Sequence, residues 1–212
     1  MSKRTLVVGN WKMNPATLDE AKVIVRKTRQ AASELAHTDV VVCPPFVFIS
    51  SFNTSTEAPH MYLGVQSVSP YTQEGPHTGE VGVHMLRDLK VEYVITGHSE
   101  ERSRGVSDEE VSKSVSAIVH EGMMAIVCVG ERQRDDAGTY LETLTQQIRS
   151  SLAGIEAKHA KNLVIAYEPI WAIGATEAMN PEQVCEMSIF VKKICADIFG
   201  PEIALKIKVL YG

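Results

Sequence analysis

The chain has 212 residues, 44% of them hydrophobic and 22% charged, with a formal net charge of -5. That composition suits a single soluble domain, 1–212, with a substantial core, and the interspersed acids and bases exclude a nucleic-acid groove or a polybasic membrane patch. No apolar run approaches a membrane span, and the N-terminus leads into a strand instead of a signal-peptide core. The four cysteines, Cys43, Cys128, Cys185 and Cys195, form no CxxC pair and have no histidine at metal spacing, so a reduced, cytoplasmic setting is expected.

Residues 5–8 read as a first strand, ending in Gly9-Asn10-Trp11-Lys12-Met13-Asn14. Thr17-Leu18-Asp19-Glu20 has the form of a capping box, and the apolar stripe behind it predicts a helix. A second strand over 39–43 is stopped by Pro44-Pro45, and a less regular helix follows through Phe46, Ile49 and Phe52. A third strand spans 61–65, before a long polar loop over 66–78 and a helix over 79–89. The fourth strand, 91–96, ends in Gly97-His98-Ser99-Glu100. Ser107-Asp108-Glu109-Glu110 is a second capping box, opening a helix to about 121. A fifth strand over 124–129 precedes a long amphipathic helix through Leu141, Leu144, Ile148 and Leu152. The sixth strand is 163–167; Asn180-Pro181 reads as N-cap and N1 of a helix to about 199; a seventh strand covers 203–210. Seven strands alternating with helices imply a parallel sheet with right-handed crossovers. An open doubly wound sheet and a closed barrel both fit, and the spread of reactive groups after strands one, four and six favours the barrel.

Glu168 stands where the buried sixth strand opens into a loop, because Pro169 cannot donate to a ladder. The loop itself is apolar (Pro169, Ile170, Trp171, Ala172, Ile173) and ends on Gly174, the pattern of a lid. Lys12, His98 and Glu168 each follow a strand, so a closed sheet would aim all three at one mouth. A carboxylate, an imidazole and an ammonium suit proton abstraction next to a carbonyl, with Glu168 as base and His98 and Lys12 stabilising charge on oxygen. His98 precedes a short helical turn, whose N-terminus disfavours a charged ring, so a neutral imidazole is expected. Taken singly, His98 reads as a helix-capping or satisfied histidine and Lys12 as a solvated lysine. Glu100 is either an ion-pair partner for Lys12 or a first-turn acid. Cys128 reads as packing, and the other histidines, His120 and His159 among them, share no spacing that marks a site.

Together, Asn10-Trp11-Lys12-Met13-Asn14, Gly97-His98-Ser99-Glu100, Cys128-Val129-Gly130-Glu131 and Tyr167-Glu168-Pro169-Ile170-Trp171-Ala172-Ile173-Gly174 resemble the signatures of the triosephosphate isomerase family, in the family's order. The resemblance spans the whole chain. It implies a TIM (β/α)8 barrel that interconverts dihydroxyacetone phosphate and glyceraldehyde 3-phosphate without cofactor or metal. It carries over Glu168 as base, His98 and Lys12 as carbonyl-polarising groups, Asn10 as a substrate-binding residue and Gly174 as a phosphate-holding backbone N–H, with Gly212 also in the substrate-binding set and Glu100 and Cys128 in support. A homodimer is implied, with the 66–80 loop reaching the partner and Thr78 near the partner's site.

The sequence departs from the family's pattern in three places. The lid ends in Gly174-Ala175-Thr176-Glu177 where the family has Gly-Thr-Gly-Lys, which alters the hinge. Glu101-Arg102 replaces two loop-tying arginines. The family also continues past Tyr211-Gly212 into a further helix, an eighth strand and a Gly-Gly phosphate turn, so the last βα unit is absent from the sequence. The expectation is an incomplete part of a longer chain; a fragment completed by another chain and a natural inactive variant are the alternatives. In function class, the competing readings are a non-catalytic barrel retained for dimerisation or protein contact and a different phosphosugar enzyme such as an epimerase.

Overall fold

The computed structural model describes residues 4–52, 58–172 and 178–212. They fall into two compact units, Met1–Ile95 and Thr96–Gly212, each built on parallel strands.

In the first unit β1 (Thr5–Asn10), α1 (Leu18–Ser33), β2 (Thr38–Cys43), α2 (Phe46–Ile49), β3 (Met61–Val65), α3 (Val83–Asp88) and β4 (Tyr93–Thr96, whose last residue opens the second unit) follow one another. The strands lie in chain order, β1-β2-β3-β4. α1 starts at the predicted box: Thr17 accepts from the Glu20 N–H while Glu20 reaches back to the Thr17 N–H. Its buried face is Ala21, Val25 and Ala32, spaced as a helix on a core requires. β1 runs two residues beyond the predicted end because Gly9 and Asn10 stay paired with Val42 and Cys43; a continuous partner outweighs the local turn signal of a glycine. The helix expected over 79–89 is shorter at both ends. Residues before Val83 belong to the preceding loop, where the Ser69 N–H donates to Val81 O at 2.9 Å.

In the second unit α4 (Ser99–Ser103), α5 (Asp108–His120), β5 (Met124–Val129), α6 (Thr139–Ser151), β6 (Leu163–Tyr167), α7 (Pro181–Phe199), α8 (Pro201–Ala204) and β7 (Lys208–Tyr211) follow. Single 3₁₀ segments cover Ala157–Asn162 and Ile170–Ala172. The strand order is β5-β6-β7, with Ala125 paired to Leu163 and Val164 to Lys208. All five residues of β6 are buried, as expected of a parallel strand covered on both faces. α7 starts at Asn180 and Pro181 as the sequence predicts. The strand expected over 203–210 is corrected: Pro201, at N1 after Gly200, starts the short α8, and strand geometry resumes only at Lys208. Within each unit the strands follow the chain without the reversal that marks a doubly wound sheet.

Gly64 sets how closely β3 meets its neighbours. A Cβ there would lie 2.5 Å from Cys43 Sγ, 2.9 Å from Val41 Cγ1 and 3.2 Å from the Tyr93 carbonyl. Gly64→Ala is therefore expected to destabilise the chain by about 1–3 kcal/mol, the usual cost of overpacking, read as a lowered urea midpoint with an unchanged slope.

Candidate active site

Glu168 closes β6. Its N–H still donates to Val129 O at 2.8 Å, so the residue keeps strand register while Pro169 ends the pairing. Its carboxylate meets two groups from other strand ends. Oε1 accepts from Cys128 Sγ at 3.4 Å, and Oε2 lies 3.6 Å from His98 Nε2. The latter distance is too long for a hydrogen bond, so acid and imidazole face each other without binding each other. Both side chains are mostly buried, Glu168 at 17% and His98 at 11% exposure. Burial first and the neighbouring Glu168 second push the Cys128 thiol well above its ordinary range, so it stays a neutral donor. Gly212 also borders this carboxylate: a Cβ on it would lie 3.5 Å from Glu168 Cγ.

His98 is the N-cap of α4. Its Nδ1 accepts from the Glu100 N–H at 3.2 Å, and Glu101 Oε2 accepts from the His98 N–H at 3.3 Å. A ring nitrogen that accepts carries no proton, so the ring is neutral and its proton sits on Nε2, towards Glu168. Glu100 Oε2 is 3.9 Å from the same Nδ1. Arg102, on the same short helix, donates to Gly97 O at 2.6 Å, Cys128 O at 3.3 Å and Ser151 Oγ at 3.1 Å, and pairs with Asp108.

Gly130 lets the two strand ends meet. A Cβ there would fall 1.8 Å from the Glu168 carbonyl oxygen. The next residue, Glu131, is buried, and its Oε1 accepts from Tyr167 OH at 2.8 Å, Arg134 Nε at 2.8 Å and Trp171 Nε1 at 2.9 Å. The Arg134 guanidinium also lies 5.0 Å from the Trp171 ring centroid, within cation–π range. The first turn of the predicted lid is thus fixed to the β5 loop.

In the first unit Asn10 and Lys12 form one local arrangement. Asn10 Oδ1 accepts the Lys12 N–H at 2.9 Å, and Gln66 Nε2 donates to Lys12 O at 2.8 Å and to Cys43 O at 2.9 Å. Lys12 is held at φ 52, an unfavourable conformation for a residue with a Cβ and one that clusters at functional sites. Thr78 is exposed on the 66–82 loop, which packs on itself through stacked Tyr71 and His77 rings 3.7 Å apart. Gly174, with Ala175, Thr176 and Glu177, lies outside the described residues.

The family model for triosephosphate isomerase matches residues 5–212. The chain belongs to the triosephosphate isomerase family.

Proteins named triosephosphate isomerase resemble it along nearly all its length. That of Moorella thermoacetica is 38% identical over 99% of this chain and 84% of its own. Those of Carboxydothermus hydrogenoformans and Rhodopirellula baltica are 36% and 37% identical, each with 84% of its own length covered. The fold class is accordingly α/β, that of the TIM barrel, with seven parallel strands among the described residues. The family is one of isomerases.

Sequence reasoning did not single out Glu131, Arg134 or Gln66. Glu131 stood inside a triosephosphate isomerase signature, and the i,i+3 spacing to Arg134 was the available signal. Gln66, the first polar residue after a buried strand, carried no such mark. Cys128, read as packing, is packed and also donates to Glu168.

Glu101 stands in the first turn of α4. Burial raises its carboxyl pKa, partly offset by the His98 N–H and by Arg104. A folded-state pKa above the unfolded one favours the fold at low pH, and this contribution is lost as pH rises through the folded value. Glu101→Gln keeps the acceptor for His98, so its stability relative to the parent should rise between about pH 4 and about pH 7, measured by urea unfolding at both. Gly130→Ala is expected to cost about 3 kcal/mol or more, since the clash is with backbone, and to displace Glu168, read as a lowered Tm with lost turnover.

Proposed function

We propose that the chain interconverts dihydroxyacetone phosphate and D-glyceraldehyde 3-phosphate by proton transfer through an enediolate, in glycolysis and gluconeogenesis. One observation carries the reading: the Glu168 carboxylate and the protonated Nε2 of a neutral His98 face each other at 3.6 Å with no hydrogen bond between them. A base and an electrophile so arranged can act on adjacent atoms of one small substrate.

Glu168 takes the proton from the carbon beside the carbonyl. The electron pair of that C–H bond forms the new C=C bond, and the former carbonyl electrons move onto oxygen. His98 Nε2–H donates to that oxygen, and the Lys12 ammonium offsets its charge. Glu168 then returns the proton to the neighbouring carbon while the hydroxyl on the first carbon gives up its proton to become the new carbonyl and the former carbonyl oxygen takes one up, the two exchanged through His98 Nε2, so no net proton, electron or cofactor is consumed. The Cys128 thiol, neutral and donating to Oε1, and the Glu100 N–H, held on Nδ1, keep base and electrophile oriented. Asn10 places Lys12 and contacts substrate. Gly174 holds the phosphate through its backbone N–H, and Gly212, whose own N–H donates to Tyr167 O at 3.1 Å, lines the substrate site beside Glu168. The lid from Pro169 excludes water, which would otherwise let the enediolate lose phosphate. The active form is a homodimer in the cytoplasm, with Thr78 reaching the partner's site.

The expected result for Glu168→Gln and Glu168→Asp is a fall in turnover of about 10²- to 10⁴-fold, the usual share of a positioned general base, with an unchanged urea midpoint. A coupled assay with glyceraldehyde 3-phosphate measures it. Unchanged turnover in the Gln variant removes Glu168 from the base role, and no turnover in the parent favours a non-catalytic barrel.

A further inference from the structure

Outside this site, one cluster among the described residues has the side chains of a metal centre. His120 ends α5, Glu156 caps the 3₁₀ segment Ala157–Asn162, and His159 lies within that segment. One donor atom from each lies within 4.8 Å of the other two. We infer that His120, Glu156 and His159 form a surface site for a divalent transition metal of the zinc class.

Three features of the local fold support the assignment. A 3₁₀ segment turns once in three residues, so side chains at i and i+3 eclipse. Glu156 and His159 stand at that spacing, with the His159 N–H donating to Glu156 O at 2.9 Å. Asn162 ties the far end of the segment to the turn after α5, donating to Gly122 O at 2.9 Å and Met123 O at 3.0 Å, which brings His120 and His159 to ring centroids 4.5 Å apart. His120 Nδ1 lies 2.7 Å from Ser116 O. A carbonyl only accepts, so Nδ1 carries the proton and Nε2 keeps its lone pair, the tautomer fixed by a backbone carbonyl that ligating histidines commonly show.

Two imidazoles and a carboxylate form a donor set that zinc takes up readily, with water completing the shell at an exposed site. Bonds of about 2.0–2.1 Å at tetrahedral angles put donor atoms about 3.3 Å apart, so side-chain rotation has to draw the cluster in. Lys158 pairs with Glu156 Oε1 at 3.0 Å and competes with the metal for that oxygen. The cluster lies before the first residues of β5 and β6, whereas Glu168 follows the last residue of β6. Five strand residues, about 17 Å, separate it from the carboxylate, so the site is independent of the isomerisation.

The test is titration calorimetry of the whole chain with zinc chloride, in a Cys185→Ser background that removes the exposed thiol. The expected result is one zinc per chain at micromolar affinity, weakened at least tenfold by His120→Ala and by His159→Ala and less by Glu156→Gln, with unchanged far-UV circular dichroism. Cobalt should give a visible absorption band that His120→Ala abolishes. Binding weaker than millimolar in the parent, or equal zinc affinity in the His120→Ala/His159→Ala double variant, overturns the site.

Discussion

The guanidinium of Arg102 donates to the carbonyls of Gly97 and Cys128 and to the Ser151 hydroxyl, and it pairs with Asp108. It therefore joins the end of β4, the end of β5, the start of α5 and the end of α6. Gly97 precedes His98, and Cys128 carries the thiol that faces Glu168, so the relative position of those two groups depends on this one cation. A planar fork with five donors can serve several acceptors at once, which a lysine cannot do with comparable geometry. Arg102 is only 11% exposed, and in such surroundings each unmade bond would leave a desolvated polar atom behind. The same residue thus sets both the rigidity of the unit and the shape of the site.

Glu168 shows how parallel-sheet geometry becomes chemistry. Its backbone belongs to the sheet, bonded to Val129, and its carbonyl is seated against Gly130. Its side chain projects beyond the last paired residue, where polar groups from neighbouring strand ends reach it. The rule that function gathers at the carboxyl ends of parallel strands has this local cause. Rigid ladder bonds hold the backbone, and the loops that begin one residue later supply varied side chains.

The fold was legible wherever a local signal agreed with its surroundings. β3, β5 and β6 were read with the bounds they have, because each is a short apolar run between polar or turn-forming residues. The boxes at Thr17 and Ser107 and the Asn180-Pro181 start marked their helices for the same reason. Errors arose where distant pairing or a downstream residue decided the outcome. Asn10 stays in strand because Cys43 pairs with it, and the residues after Pro201 coil because that proline sits at a helix N-terminus. Within the site, single residues were ambiguous. The relation between His98 and Glu168 is a distance across 70 positions, which no periodicity encodes, and only whole signatures in register pointed to it. His120 and His159 lie 39 positions apart and were passed over for the same reason.

The chain holds two tryptophans, and they report on different parts of the molecule. Trp11 belongs to the first unit, edge-on to Phe52 at 6.1 Å. Trp171 belongs to the second, with its indole N–H on a buried carboxylate and a guanidinium over its ring. The two indoles therefore sit in unlike surroundings, one against an apolar ring and the other between charged groups. With Trp11→Phe or Trp171→Phe in turn, the intrinsic light of the remaining indole follows one unit alone, giving an optical readout of the Ile170–Ala172 turn without any added label.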